Sequence, residues 1–180
     1  MGSERDVMEI LENRAEWDAE FRAGWLAEFE EKGTTNWKIY NRPHNSPLPP
    51  TPGIDLSQSR LVLISSAGTY LTASQEPFDA ANLLGDYTMR VWQTNTLFSA
   101  LSIAHDHYNH DAIKADPQVL LPIAHLQEMV EAGEIGELIP AVISYSGYQP
   151  DIRRTVDELI PPILAIVQEL QADAALLVPS

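Results

Sequence analysis

The chain has 180 residues, 44% hydrophobic and 21% charged, with a formal net charge of −15. That is enough apolar material for one packed domain plus an appendage, and too much for a disordered chain. Such acidity argues against nucleic acid and anionic membranes as partners. The absence of cysteine excludes a disulfide framework, a thiolate metal site and a cysteine nucleophile within the sequence.

No apolar run approaches the roughly 20 residues of a membrane helix. The opening MGSERDVMEILENRAEW is too polar and acidic for a secretory signal, so the expected location is cytoplasmic. Residues 1–33 predict one acidic amphipathic helix. Ser3 caps it, Glu4 and Asp6 suit its first turn, and Gly33 ends it. Val7, Ile10, Leu11, Trp17, Phe21, Trp25 and Phe29 form its apolar stripe. Residues 34–58 are a connector in which Pro43, Pro47, Pro49, Pro50 and Pro52 remove backbone donors and forbid helix or central strand. Residues 59–180 form the core domain.

Within that domain, RLVLIS predicts a strand over 60–65, buried on both faces. A long irregular stretch follows, with a short strand at Met89–Trp92. LFSALSIAH predicts the second buried strand, over 98–104. Leu126, Met129 and Val130 mark a helix that ends at Gly133. LIPAVISYSG predicts a strand over 140–145. A helix then has its firm part after Pro161 and Pro162, and a last strand spans 173–178. This order predicts an α/β fold, a mostly parallel doubly wound sheet of flavodoxin- or racemase-like kind. Right-handed crossovers would set successive strands side by side. There is no internal repeat.

In a parallel sheet, chemistry gathers beyond the carboxyl ends of the strands. Those positions hold Ser65, Ser66 and Gly68; the loop HDHYNH; Ser144, Tyr145, Ser146 and Gly147; and Pro179 and Ser180. Ser65, His105, His107, Tyr145 and Ser180 are expected to line one pocket. HDHYNH has three readings. His105, His107 and His110, with Asp106 beside them, suit a metal. The run has a partial likeness to the HxHxDH of metallo-β-lactamase-like hydrolases, with Asn109 where that motif has Asp. A substrate pocket using a histidine as acid or base and a plain polar loop are the other two. The metal lacks a clear fourth ligand, so no zinc or iron is expected. Asp86 and Arg90 in GDYTMR form either a structural ion pair or, through Arg90, a clamp on a substrate carboxylate. His44 and His125 read as structural.

The segments LISSAGTYL, QEPFD, GDYTMRVW, SIAHDHYNHDAIKADPQVLLPIAHLQEMVEAGEIGEL, SYSGYQPD and DAALLVPS resemble the selenoprotein B family of glycine, sarcosine, betaine and D-proline reductases. The resemblance runs from about Arg60 to Ser180. It is most specific in GDxxxR, in HDHYNH and in P-x3-L-x6-GEIGEL. It implies reductive cleavage of a carbon–nitrogen bond in a small amine or amino acid. A selenocysteine or cysteine would act as the nucleophile, and a pyruvoyl-bearing second subunit would assist. The pocket candidates it carries are Ser65, Ser66, Gly68, Asp86, Arg90, His105, Asp106, His107, His110, Tyr145, Ser146 and Ser180. In such proteins the nucleophile follows the strand matching DAALLVPS. The sequence therefore reads as a chain ending just before it, through a selenocysteine codon read as stop or as a half-domain without the nucleophile, and alone without reductase activity. The rival readings are a non-catalytic binding protein on the same fold, which admits a homo-oligomer, and the metal-dependent hydrolase.

Overall fold

The computed structural model describes residues 10–48 and 52–180. The expected cap at Ser3, the first turn with Val7, and Pro49 and Pro50 lie outside the described residues. The arm runs as α1 (Arg14–Phe21), a π-helical turn (Arg22–Leu26) and α2 (Ala27–Lys32), closed by Gly33 at φ 68°. Among the described residues Leu11 of the apolar stripe stands outside the helix: it bridges to Asn45, and Glu12 N–H donates to His44 O. Trp17, Phe21, Trp25 and Phe29 stack face to face along it at centroid distances of 5.0, 5.5 and 5.8 Å. Four-residue spacing drifts by about 40° per step around an α-helix. The wider π turn rotates less per residue and brings the rings back into line. Tyr40, Leu84 and Ile152 pack on this ladder, and Arg14–Asp157 (2.6 Å) and Arg153–Asp18 (3.4 Å) pin the arm to the domain.

The domain then gives β1 (Arg60–Ser65), β2 (Thr69–Leu71), β3 (Met89–Trp92) and β4 (Leu101–Ile103), followed by α3 (Asp111–Ala115) and α4 (Ile123–Glu131). After these come β5 (Glu137–Tyr145), α5 (Ile152–Arg154), a second π turn (Thr155–Leu159), α6 (Ile160–Glu169) and β6 (Ala174–Val178). The main sheet has the order β3-β5-β1-β6. β1 is parallel to both β5 and β6, and β3 is an antiparallel edge. Leu61 and Leu63 face the cluster holding Leu126, Met129 and Val130 of α4; Val62 and Ile64 face Ile163, Ile166 and Val167 of α6. A mixed α/β fold with a mostly parallel sheet is thus present. Pro161 and Pro162 stand in the first turn of α6, where no N–H is needed. The π turn stands just before them. β5 carries an irregularity, Leu61 pairing with Leu138 but Leu63 with Val142, around exposed Pro140, which has no donor for the ladder.

Two expectations are corrected. LFSALSIAH does not join the parallel sheet: Phe98–Ala100 is a 3-10 turn, and β4 pairs antiparallel with β2 in a separate ribbon. Ser99 and Ser102 interrupt its apolar run, and all three β4 residues are only half-buried. Successive strands are also not side by side. The chain leaves the sheet after β1, so β1 ends between β5 and β6. Among the described residues, no helix is long and apolar enough to cross a membrane.

Candidate functional site

The carboxyl ends of β1, β5 and β6 are knit together by main chain. Ser66 N–H donates to Val178 O (3.0 Å), Gly68 N–H to Tyr145 O (2.9 Å) and Gly147 N–H to Ser66 O (3.1 Å). Gly68, at φ 66°, is pressed against the next loop: a Cβ there would lie 2.7 Å from Ala104 O and 2.9 Å from His105 Cβ. This contact sets buried His105 over the strand ends. A Cβ on Gly147 would meet Ser66 Oγ and Ser180 Oγ at 3.0 Å and His105 Nε2 at 3.2 Å. Three polar side chains therefore converge on one bare glycine. Ser180 N–H donates to Ser66 Oγ (2.7 Å), the two hydroxyls are 2.9 Å apart, and Ser180 Oγ lies 3.5 Å from His105 Nε2.

The protonation of His105 follows from its partners. His107 N–H donates to His105 Nδ1 (3.2 Å), so the neutral ring carries its hydrogen on Nε2. Burial, then the neighbouring His107 and His110, push its pKa down to about 4. At neutral pH the site therefore presents an uncharged Nε2–H donor over Gly147. That tautomer cannot take a proton from Ser180, which rules out a serine–histidine nucleophile in this arrangement. It suits an anion placed beside it.

The other histidines diverge from this point. His110 Nε2 lies 2.6 Å from His105 O, to which it donates. His107 stacks on Tyr148 at 3.6 Å. Asp106 is exposed. Among the described residues, no group of three metal-binding side chains is placed to hold an ion. Tyr108 braces the loop: its ring meets His105 edge-on (4.8 Å) and its hydroxyl donates to Ala67 O (3.0 Å). Burial pushes its phenol up to about 12.

Of the residues expected in one pocket, His105 and Ser180 come together with Ser66. Ser65 lies beneath, spending its hydroxyl on Leu120 O (2.9 Å). Tyr145 packs on the opposite face of the sheet, with Ile163 and Val167. Ser146 is buried and bridges to Ala67. Asp86 and Arg90 are not directly paired. Thr88 stands between them, donating to Asp86 Oδ1 and accepting from Arg90 (2.9 Å). Partial burial raises the Asp86 carboxyl, but the hydrogen bonds from Thr88 and from Asp79 N–H outweigh it and hold the pKa below the usual range. Arg90 donates to Glu76 O (2.8 Å) and Pro77 O (3.3 Å) and covers the Phe78 ring at 4.4 Å. Both residues tie down the loop before β3. Tyr148 and Thr69, the partner of Ser144 in a buried hydroxyl pair (3.0 Å), were not singled out from sequence, and Tyr108 was read only as part of HDHYNH. Their contacts with His107, Ser144 and Ala67 join residues distant in the chain.

No protein-family model matches the chain, and no solved structure does. Over 123 residues the chain is 25% identical to the D-proline reductase subunit gamma of Acetoanaerobium sticklandii, a match covering 68% of this chain and 49% of that protein. The chain thus spans about half the length of the curated relative it matches. The likeness is that of a distant homologue of a reductase subunit.

Proposed function

We propose that the chain is a component of an amino-acid reductase of the D-proline reductase kind, with its site at Ser66, His105, Gly147 and Ser180. The observation that carries this reading is the Nε2–H of His105 facing Ser180 Oγ (3.5 Å) beside Gly147, at the carboxyl edge of the parallel strands. Distant similarity to a D-proline reductase subunit supports it. The division into an arm (1–33), a strap (34–58) and a reductase-like domain (59–180), doubly wound in the flavodoxin or racemase manner, belongs to the same reading, as does membership in the selenoprotein B family.

Each group has a role suited to such chemistry. Ser66 fixes the Ser180 backbone through the 2.7 Å bond. Gly147 lets the Ser66 and Ser180 hydroxyls and His105 Nε2 approach one another where any Cβ would crowd them. His105, neutral and preorganised, donates to a thiolate or selenolate and stabilises the reactive anion. The sequence holds no cysteine; on this reading the nucleophile is a cysteine or selenocysteine that would stand next after Ser180. Attack on the substrate carbon breaks the carbon–nitrogen bond, and the amine leaves with a proton. A dithiol donor then supplies the two electrons that release the carbon from the chalcogen. A second subunit bearing a pyruvoyl group, which activates the amine, fits the same scheme.

The test is a chain carrying one cysteine appended after Ser180, alone and with His105→Gln or His105→Ala. Alkylation against pH is expected to show a thiol more acidic with His105 than without it, by about one pKa unit. With a dithiol and the second subunit present, ring-opened product from D-proline should depend on His105. An alkylation profile indifferent to both variants overturns the reading.

A further inference from the structure

β4 spends only one of its two edges. Ala104 N–H donates to Gly68 O (2.9 Å) and Thr72 N–H to Ala100 O (3.1 Å). Thr69 N–H and Leu71 N–H turn away from β4, to Ser144 Oγ and Gln75 Oε1. An antiparallel pair alternates in this way, so the residues opposite those two, Ile103 and Leu101, aim their main-chain groups outward. Leu101 N–H is used by Phe98 O in the preceding turn. The Leu101 carbonyl and both main-chain groups of Ile103 remain on the free edge.

A groove of about 400 Å³ is lined by the three residues of β4, by His110 just before α3 and Lys114 within it, and by Tyr70 and Phe98. Arg14, Arg22, Lys32, Arg60, Arg153 and Arg154 each pair with a carboxylate. Among the described residues Lys38, Arg42, Arg90 and Lys114 have none within salt-bridge distance, and of these four only Lys114 lines the groove. The groove thus joins three free main-chain groups, half-buried apolar side chains and one unpaired cation, in a chain of net charge −15.

We infer that this groove takes an extended peptide segment that adds to the outer edge of β4 and sets its terminal carboxylate against Lys114. Main-chain bonds to Ile103 and Leu101 supply the register, and an apolar side chain rests on Tyr70 and Phe98. The acidic remainder of the surface disfavours peptides with further carboxylates. A simple organic acid would use Lys114 and leave the β4 edge bare.

The experiment is a titration of the ¹⁵N-labelled full chain with Ac-Ala-Val-Leu bearing a free carboxylate. Saturable shifts are expected at the amides of Leu101, Ile103 and Lys114. The same peptide as its C-terminal amide, and the free acid against Lys114→Gln, should each bind about fivefold more weakly. The inference is overturned if no saturable shift occurs, or if acetate alone reproduces the shifts. It is equally overturned if the amide binds as well as the acid, or if Lys114→Gln changes nothing. None of these readouts depends on reductase chemistry.

Discussion

Acid should weaken this fold through His105. Its ring is buried against Tyr108 and Gly68, and its pKa falls from the usual 6.5 to about 4. The unfolded chain takes up the proton first, so stability is fully present above about pH 6.5 and declines as pH falls toward about 4. Between about pH 7.5 and about pH 5 this linkage amounts to at most about 2 kcal/mol. Solvent screening by the exposed loop around His107 reduces that to about 1 kcal/mol. Urea unfolding at both pH values measures it in the parent chain and in His105→Gln, which has nothing to titrate at that position. The variant should lose stability at neutral pH but show a flatter pH dependence. An NMR titration placing His105 near its ordinary pKa, or equal pH slopes in the two chains, would refute the reasoning.

Gly68→Ala should cost roughly 2–4 kcal/mol, from left-handed backbone strain plus the clash with Ala104 O. Gly33→Ala, with a similar φ but open space around it, should cost only about 1 kcal/mol; equal costs in urea unfolding would mean that the Gly68 contact carries no energy. Trp25→Ala removes a fully buried ring from the ladder and should cost the arm about 3–5 kcal/mol, opening the segment after Gly33 to protease while the sheet stays protected from hydrogen exchange. Asp86→Asn keeps the shape but weakens the bonds from Asp79 and Thr88, so thermal melting should show a loss of about 1–2 kcal/mol.

β1 and β6 were legible because LVLI and AALLV are short, unbroken apolar runs ended by small or turn residues, although β6 lies at the sheet edge and β1 at its centre. The four-residue aromatic spacing and Gly33 marked the arm. β4 misled because a run of similar composition can pack on a ribbon when serines break it. The direction of β3 carried no local signal, since strand polarity is set by partners. At the site, His105 and Ser180 were legible from their place after apolar runs. Their meeting with Ser66 over Gly147 depended on Gly68 turning the chain, and the divergence of His107 depended on Tyr148, far away in sequence.

The central place of β1 also bears on how the chain is made. Its first pairings in the sheet, Arg60 with Glu137 and Leu61 with Ala174, span 77 and 113 positions. At ribosomal speeds, on the order of ten seconds separates the emergence of β1 from that of β6. Until β5 emerges, Val62, Leu63 and Ile64, sealed from water in the finished molecule, have neither neighbour to pair with, and until β6 follows they have only one. Pairings this distant also make the search slow once synthesis ends. A nascent chain of this topology is therefore a natural client for holdase chaperones, and its yield in a cell should respond to translation rate and temperature more sharply than its final stability would suggest.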